Sequence, residues 1–171
     1  MLLLLDANVL ITAHSLYYPV DSVPEFWAWL VYKGNAGDLK MPIENYEEVK
    51  DGGKDAEKDL LFGWITAEDV TKALLLNEPV DPELVAHVIN NGYAPDLTDD
   101  EIVQIGRDPF LIAYALASPA TRCVVTTEVS APSIRRQNRR IPDVCTTMGV
   151  TCCNTFVMMK ALGFRTGWSA A

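Results

Sequence analysis

Residues 2–5 are four leucines in a row, closed by Asp6 and followed by a second apolar triplet, Val9, Leu10 and Ile11. A run that is apolar at every position reads as a short strand buried on both faces, the habit of parallel sheets. The stretch ANVLITAHSL then takes up helical spacing, with Asp6 or Asn8 near its start. VPEFWAWLVYKG is a second helix, with Pro24 suited to its first turn and Gly34 to its stop. DLKMPI reads as a short strand, and ENYEEVKDGG and DAEKDLLFGWITAEDVTKALLL as helices parted at Gly52-Gly53. DPELVAHVINNG opens on Asp81-Pro82 and closes at Gly92, and DPFLIAYALAS repeats that opening at Asp108-Pro109. RCVVTT is β-branched and reads as a strand, APSIRRQNRR as a polar loop, IPDVCTTMG as a short helix, VTCC as a strand and NTFVMMKALGF as a helix capped by Asn154.

Strands that alternate with helices predict an α/β chain with a parallel sheet and right-handed crossovers. No repeat or linker divides the sequence, so residues 1–171 are expected to form one domain, with the mainly helical stretch 43–107 packed on one side of the sheet. A chain of 171 residues can bury roughly 70% of its surface without staples. Its 23 acids against 14 bases give a net charge of −9, so nucleic acid would be repelled at long range unless a basic patch or bound cations intervened. Cys123, Cys145, Cys152 and Cys153 form no C-x-x-C pair, and His14 and His87 are the two histidines. This excludes the usual structural zinc patterns and suggests reduced thiols in a cytoplasmic setting. The N-terminus lacks a basic leader, and no stretch nears the roughly 20 apolar residues of a membrane span.

Asp6 stands where a buried strand ends and a helix begins, and open α/β sheets bind ligands just outside the carboxyl ends of their strands. Other acids fall near element ends: Glu44, Glu47 and Glu48 after DLKMPI, Asp108 at the head of an apolar helix, Glu128 after RCVVTT, and Asp143 before VTCC. Each has an ordinary reading. Asp6 and Asp108 suit helix caps, Asp143 suits a first turn, and the remaining acids suit solvent or a loop. Gathered at one end of one sheet they would instead repel, by roughly 4 kcal/mol for a pair about 4 Å apart at an effective dielectric of 20. Hard divalent cations cancel that repulsion, and Mg²⁺ and Mn²⁺ prefer oxygen ligands.

LLLLDANVLI, ENYEEVKDG, RDPFLIAYALA and VVTTE, in that order, resemble a PIN-domain ribonuclease, and RRIPDVCTTMGVTCCN resembles a toxin-like, VapC-like subfamily of it. The resemblance covers most of the chain and is least distinctive over residues 66–100. It implies a three-layer α/β/α fold around a parallel sheet of four to five strands. It also implies Mg²⁺- or Mn²⁺-dependent endonuclease chemistry on RNA, in the toxin of a prokaryotic toxin–antitoxin pair. A homodimer and a cognate antitoxin protein are then the expected partners. Asp6 matches the first acid of the family, Glu48 the second (with Glu47 and Glu44 as rivals) and Asp108 the third. The fourth position departs from the common Asp, with Glu128 there and Asp143 as a sharer or substitute. Asn8 and Thr126 match polar positions that hold the first acid.

Arg135, Arg136, Arg139 and Arg140 lie within six residues, either as a solvated loop or, with Arg107, as a clamp on RNA phosphates. Phe26, Trp27, Trp29 and Leu30 suit a core or a dimer contact, whereas Tyr17 and Tyr18 could stack on bases. Two other functions fit the residues less well. One is a catalytically inactive PIN-fold binding module. The other is a haloacid-dehalogenase-type phosphatase using Asp6, in which Asn8 would stand where a second acid is needed.

Overall fold

In the strand β1 (Leu2–Leu5), alternate leucines go to opposite cores: Leu3 and Leu5 to one, Leu4 to the other. The same alternation in β3 (Arg122–Val125) sends Cys123 and Val125 one way and Val124 the other. The computed structural model describes residues 1–53, 55 and 59–170. With β2 (Leu39–Lys40) and β4 (Thr151–Cys153), these strands make a four-stranded parallel sheet in the order β2-β1-β3-β4. An isolated parallel bridge between Met41 and Leu75 extends the β2 edge. Helices cover both faces, so the fold is a three-layer α/β/α sandwich.

The first layer holds α1 (Ala7–Thr12), which widens into a π-helical turn at Ala13–Tyr17, and α2 (Pro24–Asn35). α3 (Ile43–Asp51), α4 (Leu60–Ile65) and α5 (Glu68–Leu74) follow in the same layer, joined later by α10 (Thr155–Ala161). The second layer holds α6 (Pro82–His87), with a π-helical turn at Val88–Tyr93, then α7 (Asp99–Ile105), α8 (Asp108–Leu116) and α9 (Ile141–Met148). Phe26, Trp27, Trp29 and Leu30 are all buried. The aromatic cluster is therefore core, each fully buried large side chain contributing about 1.5–3 kcal/mol.

The middle of the chain departs from expectation. It does not pack on one side: Leu61, Ile65, Val70 and Leu74 join the first core, while Val85, Val88, Tyr93 and Ile105 join the second. The helix expected over residues 55–76 is two. Thr66 turns its hydroxyl back onto the Phe62 carbonyl, 2.7 Å away, and Ala67 is extended. The beginning of that expected helix, at residues 56–58, lies outside the described residues. α7 was not foreseen, although Thr98 and Glu101 form a reciprocal capping box at its start. Gly106 ends α7 at φ 56°, ψ −125°, a conformation side-chain-bearing residues avoid, and turns the chain towards Asp108. The four thiols are free, with Cys123 and Cys145 buried but Cys152 and Cys153 only partly so. Among the described residues, no helix is long and apolar enough to cross a membrane.

Candidate functional site

The strand order reverses at β1. The chain crosses from β1 to β2 on one side and returns to β3 on the other, which leaves a crevice at the carboxyl ends of β1 and β3. Asp6 and Thr126 are the residues that leave those two strands. The Asp6 N–H donates to the Val125 carbonyl (2.9 Å), and the Thr126 N–H to that of Cys153 (3.1 Å). Both side chains are buried, and the Thr126 hydroxyl donates to Asp6 Oδ2 at 2.7 Å. Asp6 occupies the N-cap position of α1, yet its side chain makes no capping hydrogen bond. The backbone and side-chain groups of Asn8 lean on the carboxylate without completing a bond that meets hydrogen-bond geometry. Burial raises the Asp6 pKa above the usual carboxylate value. Thr126 and Asn8 pull it down, and the charge of Glu128 pushes it further up.

Asp108 is the first residue of α8, with Arg107 at the N-cap position and no side-chain cap formed. Six of the nine residues in that helix are buried, so its apolar run anchors the acid at the crevice. Burial pushes the Asp108 carboxyl up to about 8, and the charges of Asp6, Glu128 and Glu48 add to the rise. The Tyr93 hydroxyl, from the second core, stands close enough to oppose this, though it falls short of a formed hydrogen bond. Glu48, on α3, is raised first by burial and then by Asp6 and Asp51, against the pull of Arg107. Four carboxylates from separate parts of the chain therefore converge, with Asp108 under the charges of Asp6, Glu48 and Glu128.

The rivals of Glu48 lie elsewhere. Glu47 pairs with Lys50 at 3.0 Å, and Glu44 has a buried, unpartnered oxygen on the Tyr114 side. Glu128 belongs to the group but is also engaged: Oε2 accepts from the Ile141 N–H (2.7 Å), and Oε1 from Arg140 (3.3 Å). The Asp143 carboxylate stands apart. Its two oxygens accept from the Ser130 hydroxyl (2.5 Å) and the Ala131 N–H (2.8 Å), which fasten the loop and hold its pKa down despite an opposing desolvation.

Asn45, fully buried one turn before Glu48 with neither amide atom partnered, is a polar residue the sequence did not single out. Tyr93 is another. An apolar run ending in tyrosine carries no mark of a site, whereas an asparagine inside the acidic motif ENYEE could have been noticed.

The arginine cluster divides. Arg136 is held by Glu101 (2.8 Å) and Asp96 (2.8 Å), and Arg139 by the Gly92 carbonyl, the Asp143 carbonyl and the Thr147 hydroxyl. These two tie the loop to the second layer, whereas a phosphate clamp needs arginines free of such partners. Arg135 and Arg140 are exposed. Arg107 pairs with Asp51 at 2.7 Å beside Glu48.

Among the described residues, no three or more Asp, Glu, His or Cys side chains are grouped so as to hold a metal ion. The donor set nevertheless fits a hard cation. All four groups are carboxylates, and the raised pKa values of three of them record repulsion and burial that a divalent charge would offset. An open arrangement suits Mg²⁺ or Mn²⁺, which keep several waters, better than an ion that needs an all-protein cage.

No curated protein matches the chain. A family model described as a domain of unknown function, DUF4411, matches residues 3–166. The match runs through all four strands and every acid of the crevice, and the chain belongs to the DUF4411 family.

Proposed function

We propose that this protein is a metal-dependent endoribonuclease of the PIN type. The observation that carries the reading is the mutual coupling of Asp6, Glu48, Asp108 and Glu128 at the point where the sheet reverses its strand order. Ordinary helix caps would not need Asp6, Glu48 and Asp108 raised by burial and by one another's charge, with the Glu128 carboxylate beside them. In this reading Asp6, Glu48 and Asp108 hold Mg²⁺ or Mn²⁺, with Glu128 completing the set and bracing the start of α9. The bound cation would supply positive charge at a phosphodiester and make an attacking water more acidic. Thr126 and Asn8 fix the Asp6 carboxylate. Arg135 and Arg140, the exposed members of the basic loop, meet the RNA backbone. The toxin role, the antitoxin and the homodimer extend this reading and rest on the resemblance of the RRIPDVC segment.

The phosphatase reading asks for an acid two residues after Asp6, where Asn8 stands. A binding module without catalysis draws some support from the engaged carboxylate of Glu128. The deciding experiment is cleavage of a mixed single-stranded and structured RNA pool with Mg²⁺, Mn²⁺ or EDTA, using wild type and Asp108→Asn. The nuclease reading requires metal-dependent cleavage that Asp108→Asn loses. Cleavage absent with either metal would leave the binding module.

A further inference from the structure

A cavity of about 880 Å³ opens beside the acids, and Thr126 and Glu128 form part of its wall. Its floor is apolar, with Val9, Ala13, Cys152 and Cys153. At its mouth Tyr17 and Phe156 meet edge to face, centroids 5.6 Å apart, and each ring is more than half exposed. The Tyr17 ring is carried by the π-helical turn after α1, and the Phe156 ring by α10. Thr127, Asn154 and Thr155 also line it. Thr155 is 8% exposed, and its hydroxyl has no hydrogen-bond partner.

We propose that this cavity receives one nucleobase of the single strand, the base adjoining the phosphate held at the acids. The proposal rests on the endoribonuclease reading. A nucleobase has flat faces that stack on aromatic rings and a polar edge that hydrogen-bonds. The cavity offers both surfaces: the Tyr17–Phe156 pair for a face, and the exposed Asn154 amide for an edge. Asn154 Oδ1 already caps α10 through the Val157 N–H at 2.9 Å, so its NH₂ group is the part available to a base. The volume falls in the ordinary range for small-ligand sites. The shared wall sets the spacing, because Thr126 both holds Asp6 and lines the cavity.

The test uses full-length protein with Ca²⁺ in place of Mg²⁺ and a short single-stranded RNA carrying 2-aminopurine at each position in turn. Fluorescence should fall at one position and recover in Tyr17→Ala and in Phe156→Ala. In Mg²⁺ the same variants should raise KM for cleavage about tenfold, with kcat little changed, and their melting temperatures should match wild type because both rings are exposed. Asn154→Asp, which keeps the oxygen that caps α10 and removes the NH₂ group, should keep the stacking signal and alter the preference among the four bases at that position. Equal fluorescence at all positions, or quenching that survives both aromatic substitutions, overturns the pocket. Failure of the nuclease reading looks different: no cleavage with any metal, while the position-specific quenching persists.

Discussion

The Thr126 hydroxyl donates to Asp6 Oδ2 across 2.7 Å, joining residues 120 positions apart at the ends of the two central strands. The Thr126 hydroxyl oxygen itself accepts from the Glu128 N–H at 3.1 Å. One threonine therefore orients the most buried acid and sets the path of the loop that carries another. Thr126→Val keeps the shape and removes the donor. It should weaken Mn²⁺ binding about 10–100-fold, the usual range for groups that orient metal ligands, whereas Thr126→Ser should restore it. Calorimetric titration with Mn²⁺ checks this, and equal affinity in all three proteins would show that Asp6 needs no such support.

The acids also predict how stability depends on pH without metal. Folded Asp108 holds its proton up to about pH 8, while the unfolded carboxyl releases it near 3.8. Between those values the folded state binds more protons, so stability falls as pH rises, by up to about 1.4 kcal/mol per pH unit for one proton. The raised pKa values of Asp6 and Glu48 act in the same direction. Glu101 does the reverse: Arg136 lowers it to about 2, so its contribution is lost only in acid, below the pH 5–8 window. Melting in EDTA should therefore show a decline from pH 5 to pH 8 that Asp108→Asn flattens. An unchanged slope in that variant would place the coupling elsewhere.

Much of this arrangement was legible because it follows from local pattern. A leucine run broken by an acid marks a strand end, and Pro109 after Asp108 marks a helix start, so the acids could be located on their elements before their neighbours were known. Glu48 could not be separated from Glu44 and Glu47 in the same way, because the choice depends on how α3 is rotated against α1 and α8. The partners of the arginines were hidden for a related reason. Arg136 finds Asp96 and Glu101, and Arg139 finds Gly92, through contacts spanning 35 to 47 residues, which a count of local charge does not register. The two faces of the middle segment were hidden too, since an amphipathic helix carries no sign of which side of the sheet it will cover.

That division of the arginines has a measurable consequence. Arg135→Ala with Arg140→Ala should reduce the salt dependence of RNA binding by about 1–1.5 units, at roughly 0.7 per phosphate contact on a single strand. Arg136→Ala should leave the salt slope unchanged and lower the melting temperature, because it frees Asp96 and Glu101. A flattened slope in Arg136→Ala, with melting unaltered, would return it to the RNA surface.

Asp6 gives the sharpest separation between a structural and a metal-binding role. It sits at an N-cap position but forms no cap bond, so its replacement should not follow capping rules. Asp6→Asn retains an oxygen to accept from Thr126 and removes the charge that opposes Glu48 and Asp108. In EDTA that variant should be as stable as wild type or more so. Asp6→Ala leaves the buried Thr126 hydroxyl without its acceptor and should cost about 1–3 kcal/mol. With Mn²⁺ at a hundredfold excess over its dissociation constant, wild type should gain roughly 2.7 kcal/mol. Asp6→Asn should lose most of that gain, together with RNA cleavage. Thermal melting of the three proteins in EDTA and in Mn²⁺, beside the cleavage assay, measures each step. Were Asp6→Asn to keep the full Mn²⁺ shift and still cut RNA, Asp6 would be a turn residue and the metal would belong to the other acids.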